Sequence, residues 1–384
     1  MKNNQILKGK IIIMNKYVTC ESVFRGHPDK LCDQISDAIL DEYLLKDKDS
    51  RVAIECSIKD NLVIIFGEVT SKSHVNLEKV AKRVLRDIGY FDNFVVITKV
   101  STQSWDIAKG VDKLGAGDQG IMYGYATNDT KECLPLPYVI ARDISKAVEN
   151  IRKEKYMDVL MPDGKCQLAV RYEDNKPKDI KTIVVSTQTK KGVKLEEVKR
   201  IIKEEVLIPL LGSTLDGIEI LVNPTGAFFR GGPYADSGLT GRKLMVDTYG
   251  GVAHHGGGAF SGKDYTKVDR SGAYYARFVA KSIVNAGLAN KCEVAVSYSI
   301  GVASPISVSI DTFGTGKLSD DELLKLINDH FDFSVGNIIK ELKLKDISYQ
   351  RLAEYGHFGN DIYPWENVDG KVSELKKATA KAST

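Results

Sequence analysis

RVAIECSIKDNLVIIFGEVT, residues 51–70, holds the clearest architectural signal in the chain. Val52, Ile54, Cys56 and Ile58 recur at every second position, the period of a strand with one buried face. Lys59, Asp60 and Asn61 supply a polar turn, and a second β-rich run follows. The stretch predicts a β-hairpin. Helical patterns flank it: residues 29–45 place Leu31, Ile35, Ala38 and Ile39 on one face, and residues 76–88 form another helix before the strand FVVITKVS. The same unit returns twice. Residues 136–155 read as a helix, Leu168, Val170 and Tyr172 alternate, EDNKPKD turns, and IKTIVVSTQ returns. The helix KLEEVKRIIKEEV and the strand GIEILVNP complete that unit. In the third, a helix over 269–288 precedes alternating Val294, Val296, Tyr298 and Ile300. A return strand then carries Ile306, Val308 and Ile310, and Ser319 caps the helix SDDELLKLINDHF.

Hairpins beginning near residues 51, 166 and 292 imply an α+β fold of three similar domains in a pseudo-threefold repeat, each a sheet covered on one face by helices. The expected division is 15–113, 114–244 and 245–384, with 1–14 a disordered extension ahead of or including a start at Met14. Alternation leaves each sheet a second face. On the first it carries Glu55 and Ser57, so that face is expected to serve a site or a subunit interface.

The 384 residues suffice for two or three domains, and 43% hydrophobic with 27% charged residues is ordinary for a globular protein. A net charge of +3 gives no argument for nucleic acid or a membrane surface, and no apolar run is long enough to span a bilayer. Cys20, Cys32, Cys56, Cys133, Cys166 and Cys292 are scattered without a C-x-x-C pair, which argues against zinc or a disulfide framework and for a reducing cytoplasm.

The chemistry gathers between the units. GGGAFSGKDYTKVDR, residues 256–270, reads from Gly257 as G-x-x-x-x-G-K, but Asp264 stands where a P-loop needs a hydroxyl, and no strand precedes it. Its cations Lys263, Lys267 and Arg270 and acids Asp264 and Asp269 suit an anion with a bound metal. GHPDK adds His27, Asp29 and Lys30; PDGK, read as a loop, adds Asp163 and Lys165; LTGRK adds Arg242 and Lys243. Cations, a donor imidazole and aspartates for Mg²⁺ are what a metal-bound polyphosphate requires. Asp29 and Asp269 each open a helix, where either alone would read as a cap. There is no G-x-S-x-G and no Cys beside a His, so catalysis would proceed by positioning and charge neutralisation.

ESVFRGHPDK, CDQISDAILD, GAGDQGIMYGYATND, GGPYADSGLTGRKLMVDTYGG, HGGGAFSGKDYTKVDRSGAYYAR and YGHFG together resemble the S-adenosylmethionine synthetases, in order from about Tyr17 to Trp365. The resemblance implies three α+β domains, ATP and L-methionine as substrates, two Mg²⁺ and K⁺, a homodimer or homotetramer with sites between subunits, and a cytoplasmic location. It implies catalytic roles for His27, Lys165, Arg242, Lys263 and Lys267. ATP would be met by His27, Asp163, Lys165, Phe228, Asp236, Arg242, Lys243, Ala259, Lys263 and Lys267. Methionine would be met by Glu68, Gln103, Asp118, Asp236, Lys267 and Ile300. Asp29 and Asp269 would hold Mg²⁺, and Glu55 K⁺. The chain departs from the family pattern at Phe24-Arg25, Trp105, Ala227 and Arg230 and in FDFSVG. Arg25 could lend charge to the triphosphate in place of the arginine missing at Ala227. The alternatives are a relative with altered nucleotide or thioether choice, and a non-catalytic nucleotide-binding partner.

Overall fold

The computed structural model describes residues 15–102 and 115–382. Gln103, Trp105 and the expected extension 1–14 lie outside them. In chain order the principal elements are β1 (Asn15–Val23), α1 (Pro28–Lys46), β2 (Arg51–Lys59), β3 (Leu62–Thr70), α2 (Leu77–Ile88), β4 (Val95–Ser101), β5 (Gly120–Thr127), α3 (Leu136–Glu154), β6 (Leu160–Glu173) and β7 (Lys176–Thr189). There follow α4 (Leu195–Ile201), β8 (Glu219–Val222), β9 (Gly238–Leu239), α5 (Val268–Asn285), β10 (Lys291–Tyr298), β11 (Ser307–Asp311), α6 (Asp320–His330), α7 (Val335–Glu341) and α8 (Asp369–Ala382).

The predicted first hairpin forms with Lys59 opposite Leu62, and Asp60 adopts the positive φ of 49° that the tight turn needs. Val52, Ile54, Cys56 and Ile58 all point inward, under α1. Asn76 caps α2 through the Lys79 N–H, and Ser319 with Glu322 makes a capping box at α6. The architecture is α+β, with three sheets that each carry helices on one face: α1 on β2, α3 on β6, and α5 on β5 and β10.

The sheets are completed by an exchange that the repeat did not foretell. Their orders are β4-β3-β2-β9, β1-β6-β7-β8 and β11-β10-β5. The strand ahead of the first hairpin unit thus joins the second sheet, the one ahead of the second unit joins the third, and β9, ahead of the third, closes the first. Each receives its edge from the preceding or following part of the chain. The second hairpin is also longer than its alternation suggests. β6 begins at Leu160, so PDGK belongs to a strand and not to a loop. The reason is pairing on both sides: β7 runs alongside with Thr189 opposite Leu160 and Thr187 opposite Gly164, and β1 meets the last residue of the motif, Val23 opposite Lys165. In the third unit α5 stops at Asn285, and Ile300 lies beyond the end of β10.

One hydrophobic core runs continuously beneath α1, β2, β3, α5 and β10, while a separate cluster fills the space between α3, α4 and β6–β8. Nearly every residue of α5 is buried, including Arg270, Arg277 and Lys281. Glu366 answers Arg277 and Lys281 at 2.9 Å each, which is how a helix so enclosed can carry charge.

Candidate active site

The site starts where β1 enters α1. Phe24 donates its N–H to the Gly164 carbonyl at 2.9 Å, which lays GHPDK across the start of β6. Gly26 allows the crossing, because a Cβ there would stand 2.4 Å from Pro162. His27 caps α1, its Nδ1 accepting from the Asp29 N–H at 3.2 Å. Burial first, then the Lys243 ammonium, push the imidazole down to about 4. A neutral ring that accepts at Nδ1 carries its proton on Nε2, where it can donate to an incoming anion.

Asp29 is fully buried. Its Oδ2 lies 2.5 Å from Lys243 Nζ, and its Oδ1 accepts from Leu239 N at 3.0 Å with Arg242 Nε at 3.4 Å. Asp163 is buried on the adjoining strand and accepts from Gly232 N at 2.7 Å. Burial raises its carboxyl to about 6 against the Gly232 and Gly164 N–H groups. Lys165 and Asp236, both exposed, act electrostatically on His27 and Asp163.

The second wall hangs on the edge of β2. Gly262 O accepts from Ile54 N at 3.0 Å, and Asp264 N donates to Val52 O at 3.1 Å. Further along the same edge, Thr240 N donates to Cys56 O at 3.0 Å. SGKD and LTGRK are therefore seated side by side on one strand. LTGRK also lies close to the chain just ahead of SGKD, since a Cβ on Gly241 would lie 2.5 Å from Ala259 Cβ. Lys263 Nζ meets Asp269 Oδ2 at 2.5 Å, in the first turn of α5, and Gly258 packs over that carboxylate. Asp264 is not aimed at a ligand. It is buried, accepts from Val52 N at 2.7 Å and Thr266 N at 2.9 Å, and pairs with Lys267. The SGKD turn is therefore stapled by a carboxylate where a P-loop would present a hydroxyl.

Thus His27, Asp29, Asp163, Lys165, Asp236, Arg242 and Lys243 form one charged wall, and Ala259, Lys263 and Asp269 an adjoining one. Lys267 is mostly buried beside Asp264. Phe228 stands half-buried at the end of β7, where its carbonyl accepts from Thr189 N. Asp118 and Ile300 lie on neighbouring loops, joined through Ala116 and Gly301 at 2.8 Å. Glu55, Glu68 and Asp118 are exposed and form no ion pair among the described residues. Arg25 does not extend the charged wall: its guanidinium meets Gln34 at 3.2 Å and Glu354 at 3.3 Å.

Comparison with known proteins finds three family models in succession along the chain. Family models of the S-adenosylmethionine synthetase N-terminal, central and C-terminal domains match residues 15–111, 113–228 and 230–367. The S-adenosylmethionine synthase of Staphylococcus epidermidis is 48% identical, over 94% of this chain and 97% of its own. That of Clostridium botulinum is 47% identical, over 95% and 100%. The chain belongs to the S-adenosylmethionine synthetase family. It is thereby an enzyme, a methionine adenosyltransferase by family.

For a synthetase of this family the donor set suits magnesium. Among the described residues no three His, Cys, Asp or Glu side chains cluster as a metal cage. Mg²⁺ seldom needs one: it takes one or two carboxylates and fills its octahedron with water and substrate phosphates. Asp29 and Asp269, each facing a lysine beside the cation walls, are carboxylates of that kind. Glu55, on the open face of its sheet, has no ion-pair partner among the described residues, so a K⁺ role rests on the resemblance. Sequence reasoning missed Asp33, Asp37, Asp247 and His357 in the buried layer beneath the synthetase's walls, and it read Lys30 and Arg270 as cations for the anion, whereas both are buried in that layer and paired with its carboxylates. The available signal was the spacing of four between Asp29, Asp33, Asp37 and Asp41.

Proposed function

We propose that this enzyme joins L-methionine to ATP, forming S-adenosylmethionine, and then hydrolyses the tripolyphosphate to phosphate and pyrophosphate. The observation that carries the reading is the seating of two cation-bearing turns, LTGRK and SGKD, on one strand edge facing GHPDK. A thioether sulfur is nucleophilic without a base. Its attack on C5′ is limited by the charge of the departing triphosphate. Lys165, Arg242, Lys243 and Lys263 would absorb that charge, and His27 would donate from Nε2 to the leaving group. Lys267 would reach both substrates on leaving Asp264. Asp29 and Asp269 would hold Mg²⁺, which when bound neutralises phosphate oxygens. Asp163, Phe228 and Ala259 would fix the nucleotide, and Glu68, Gln103, Asp118, Asp236 and Ile300 the methionine, with the acids favouring the sulfonium cation. K⁺ at Glu55 is part of the same proposal.

The chain would act as a homodimer or homotetramer. Val95 and Ile97 on β4 are 52% and 51% exposed beside the half-buried Ile64 and Phe66 of β3, which makes the open sheet face more apolar than a solvated one need be. A cytoplasmic location is supported by six buried, unpaired cysteines, and among the described residues no helix is long and apolar enough to cross a membrane. Pure protein with methionine, ATP, Mg²⁺ and K⁺ should yield S-adenosylmethionine by mass spectrometry, with phosphate and pyrophosphate in equal amounts. ADP as the main product would overturn the reading.

A further inference from the structure

Helix α1 carries Asp29, Asp33, Asp37 and Asp41 at intervals of four residues, so the four carboxylates descend one face. Between them they take backbone N–H groups from three segments. Asp29 accepts from Leu239 at 3.0 Å, Asp33 from Gly241 at 2.8 Å and Asp37 from Gly262 at 2.8 Å. Asp41 accepts from Tyr349 at 2.7 Å and Gln350 at 3.0 Å. The first two segments are the cation-bearing turns LTGRK and SGKD; the third, at 349–350, is remote from them in sequence and carries no site residue.

Asp33 and Asp37 are both wholly buried. The second oxygen of Asp33 lies 3.0 Å from Lys30 Nζ, and Asp37 receives two bonds of 2.7 Å from Arg270. Neither can meet a substrate. The residues they hold are glycines with φ of 80° and 81°, a left-handed backbone that needs an external partner to stay in one geometry. Gly241 immediately precedes Arg242, and Gly262 immediately precedes Lys263.

We propose that Asp33 and Asp37 are positioning residues that register the two phosphate-facing turns against one helix, so that Arg242, Lys243 and Lys263 address the same triphosphate. This rests on the proposed function above. A misplacement of about 1 Å in such a cradle can cost up to roughly a hundredfold in rate. Asp41 supplies a control on the same helix face: a half-buried carboxylate that likewise accepts backbone N–H groups but serves a segment outside the cradle.

The test compares Asp33→Asn, Asp37→Asn and Asp41→Asn for thermal stability, kcat, methionine KM and affinity for inorganic tripolyphosphate with Mg²⁺. Hydrogen exchange is followed at 239–243, 260–264 and 348–350. All three should lose stability. Only the first two should lose about tenfold or more in kcat and tripolyphosphate affinity while methionine KM moves little. Exchange should quicken at 239–243 in Asp33→Asn, at 260–264 in Asp37→Asn and only at 348–350 in Asp41→Asn. Asp33→Glu and Asp37→Glu keep the charge that Lys30 and Arg270 require but shift it by one methylene, and serve where an Asn variant does not fold; the same losses are expected. Cradle variants whose kcat, tripolyphosphate affinity and exchange all follow Asp41→Asn overturn the assignment. A wild-type protein that neither binds tripolyphosphate nor forms S-adenosylmethionine overturns the functional reading instead, and the exchange pattern still decides whether these carboxylates hold the turns.

Discussion

Lys263 and Asp269 are six residues apart in sequence and 2.5 Å apart in space, one on the edge of β2 and one in the first turn of α5. The pair is the most economical assignment of leaving-group charge and metal carboxylate in the site. Lys263→Ala and Asp269→Asn should each reduce turnover by about 10²–10³, the usual cost of removing one electrostatic stabiliser from a transition state. Steady-state rates near wild type in both would refute the roles. At this scale the sequence was informative about which residues are charged and where they cluster, and uninformative about which charges are already spoken for. Nothing local distinguishes Lys263, open to a ligand on one side, from Lys267, whose ammonium is turned to Asp264. Arg25 is the same lesson. Its partner Glu354 is distant in sequence, so only the folded chain reveals that its charge is committed.

Elements defined by their own periodicity were legible; elements defined by a partner were not. The hairpin at 51–70 announced itself because alternation and turn chemistry are local. β9 is two residues long and β1 lacks a hairpin mate, so both acquire strand character only by pairing across the molecule. PDGK looked like a loop for that reason. Below the site, α5 is tied to the segment after α7 by a chain of side chains that no periodicity predicts. Arg270 Nε donates to the Tyr274 hydroxyl at 2.9 Å, and that hydroxyl meets His357 Nδ1 at 2.6 Å. Tyr274, already an acceptor, gives its proton to Nδ1, so His357 carries its own on Nε2, 3.8 Å from Asp247. Burial first, then Arg270 and Lys30, hold this imidazole well below its ordinary range. The folded ring stays neutral where an unfolded one takes up a proton, so its contribution to stability is complete above about pH 6.5 and is lost as pH falls beneath it. The urea midpoint should therefore drop between about pH 7.5 and about pH 5, and drop less in His357→Gln. An identical pH slope in the two proteins would show that the ring is not responsible.

For the molecule as a whole, the open face of the first sheet sets the expected assembly. Ile64, Phe66, Val95 and Ile97 share that side with Glu55. The register puts Glu68 and Lys99 on that side too, so a second copy could cover the apolar residues without burying an unpaired charge only if these three charged residues find opposite charges or stay at the rim. Phe66→Lys should shift the protein toward monomer in light scattering and cut activity if the sites lie between subunits; a stable, fully active dimer in that variant would exclude this face. The circular lending of strands has a different consequence, for how the chain is made. As the polypeptide leaves the ribosome, the first hairpin emerges with one flank of β2 unpaired, and both segments that cover it, 238–240 and 262–264, are synthesised only after the whole second sheet. β5 likewise waits for β10, while β1 must keep its place until β6 arrives. No sheet can be closed by its own stretch of gene. Cutting the message at either boundary would yield two products with bare flanks, insoluble apart and able to mend only when expressed together. Such a chain resists shuffling: its thirds can diverge in sequence, but not be traded one at a time.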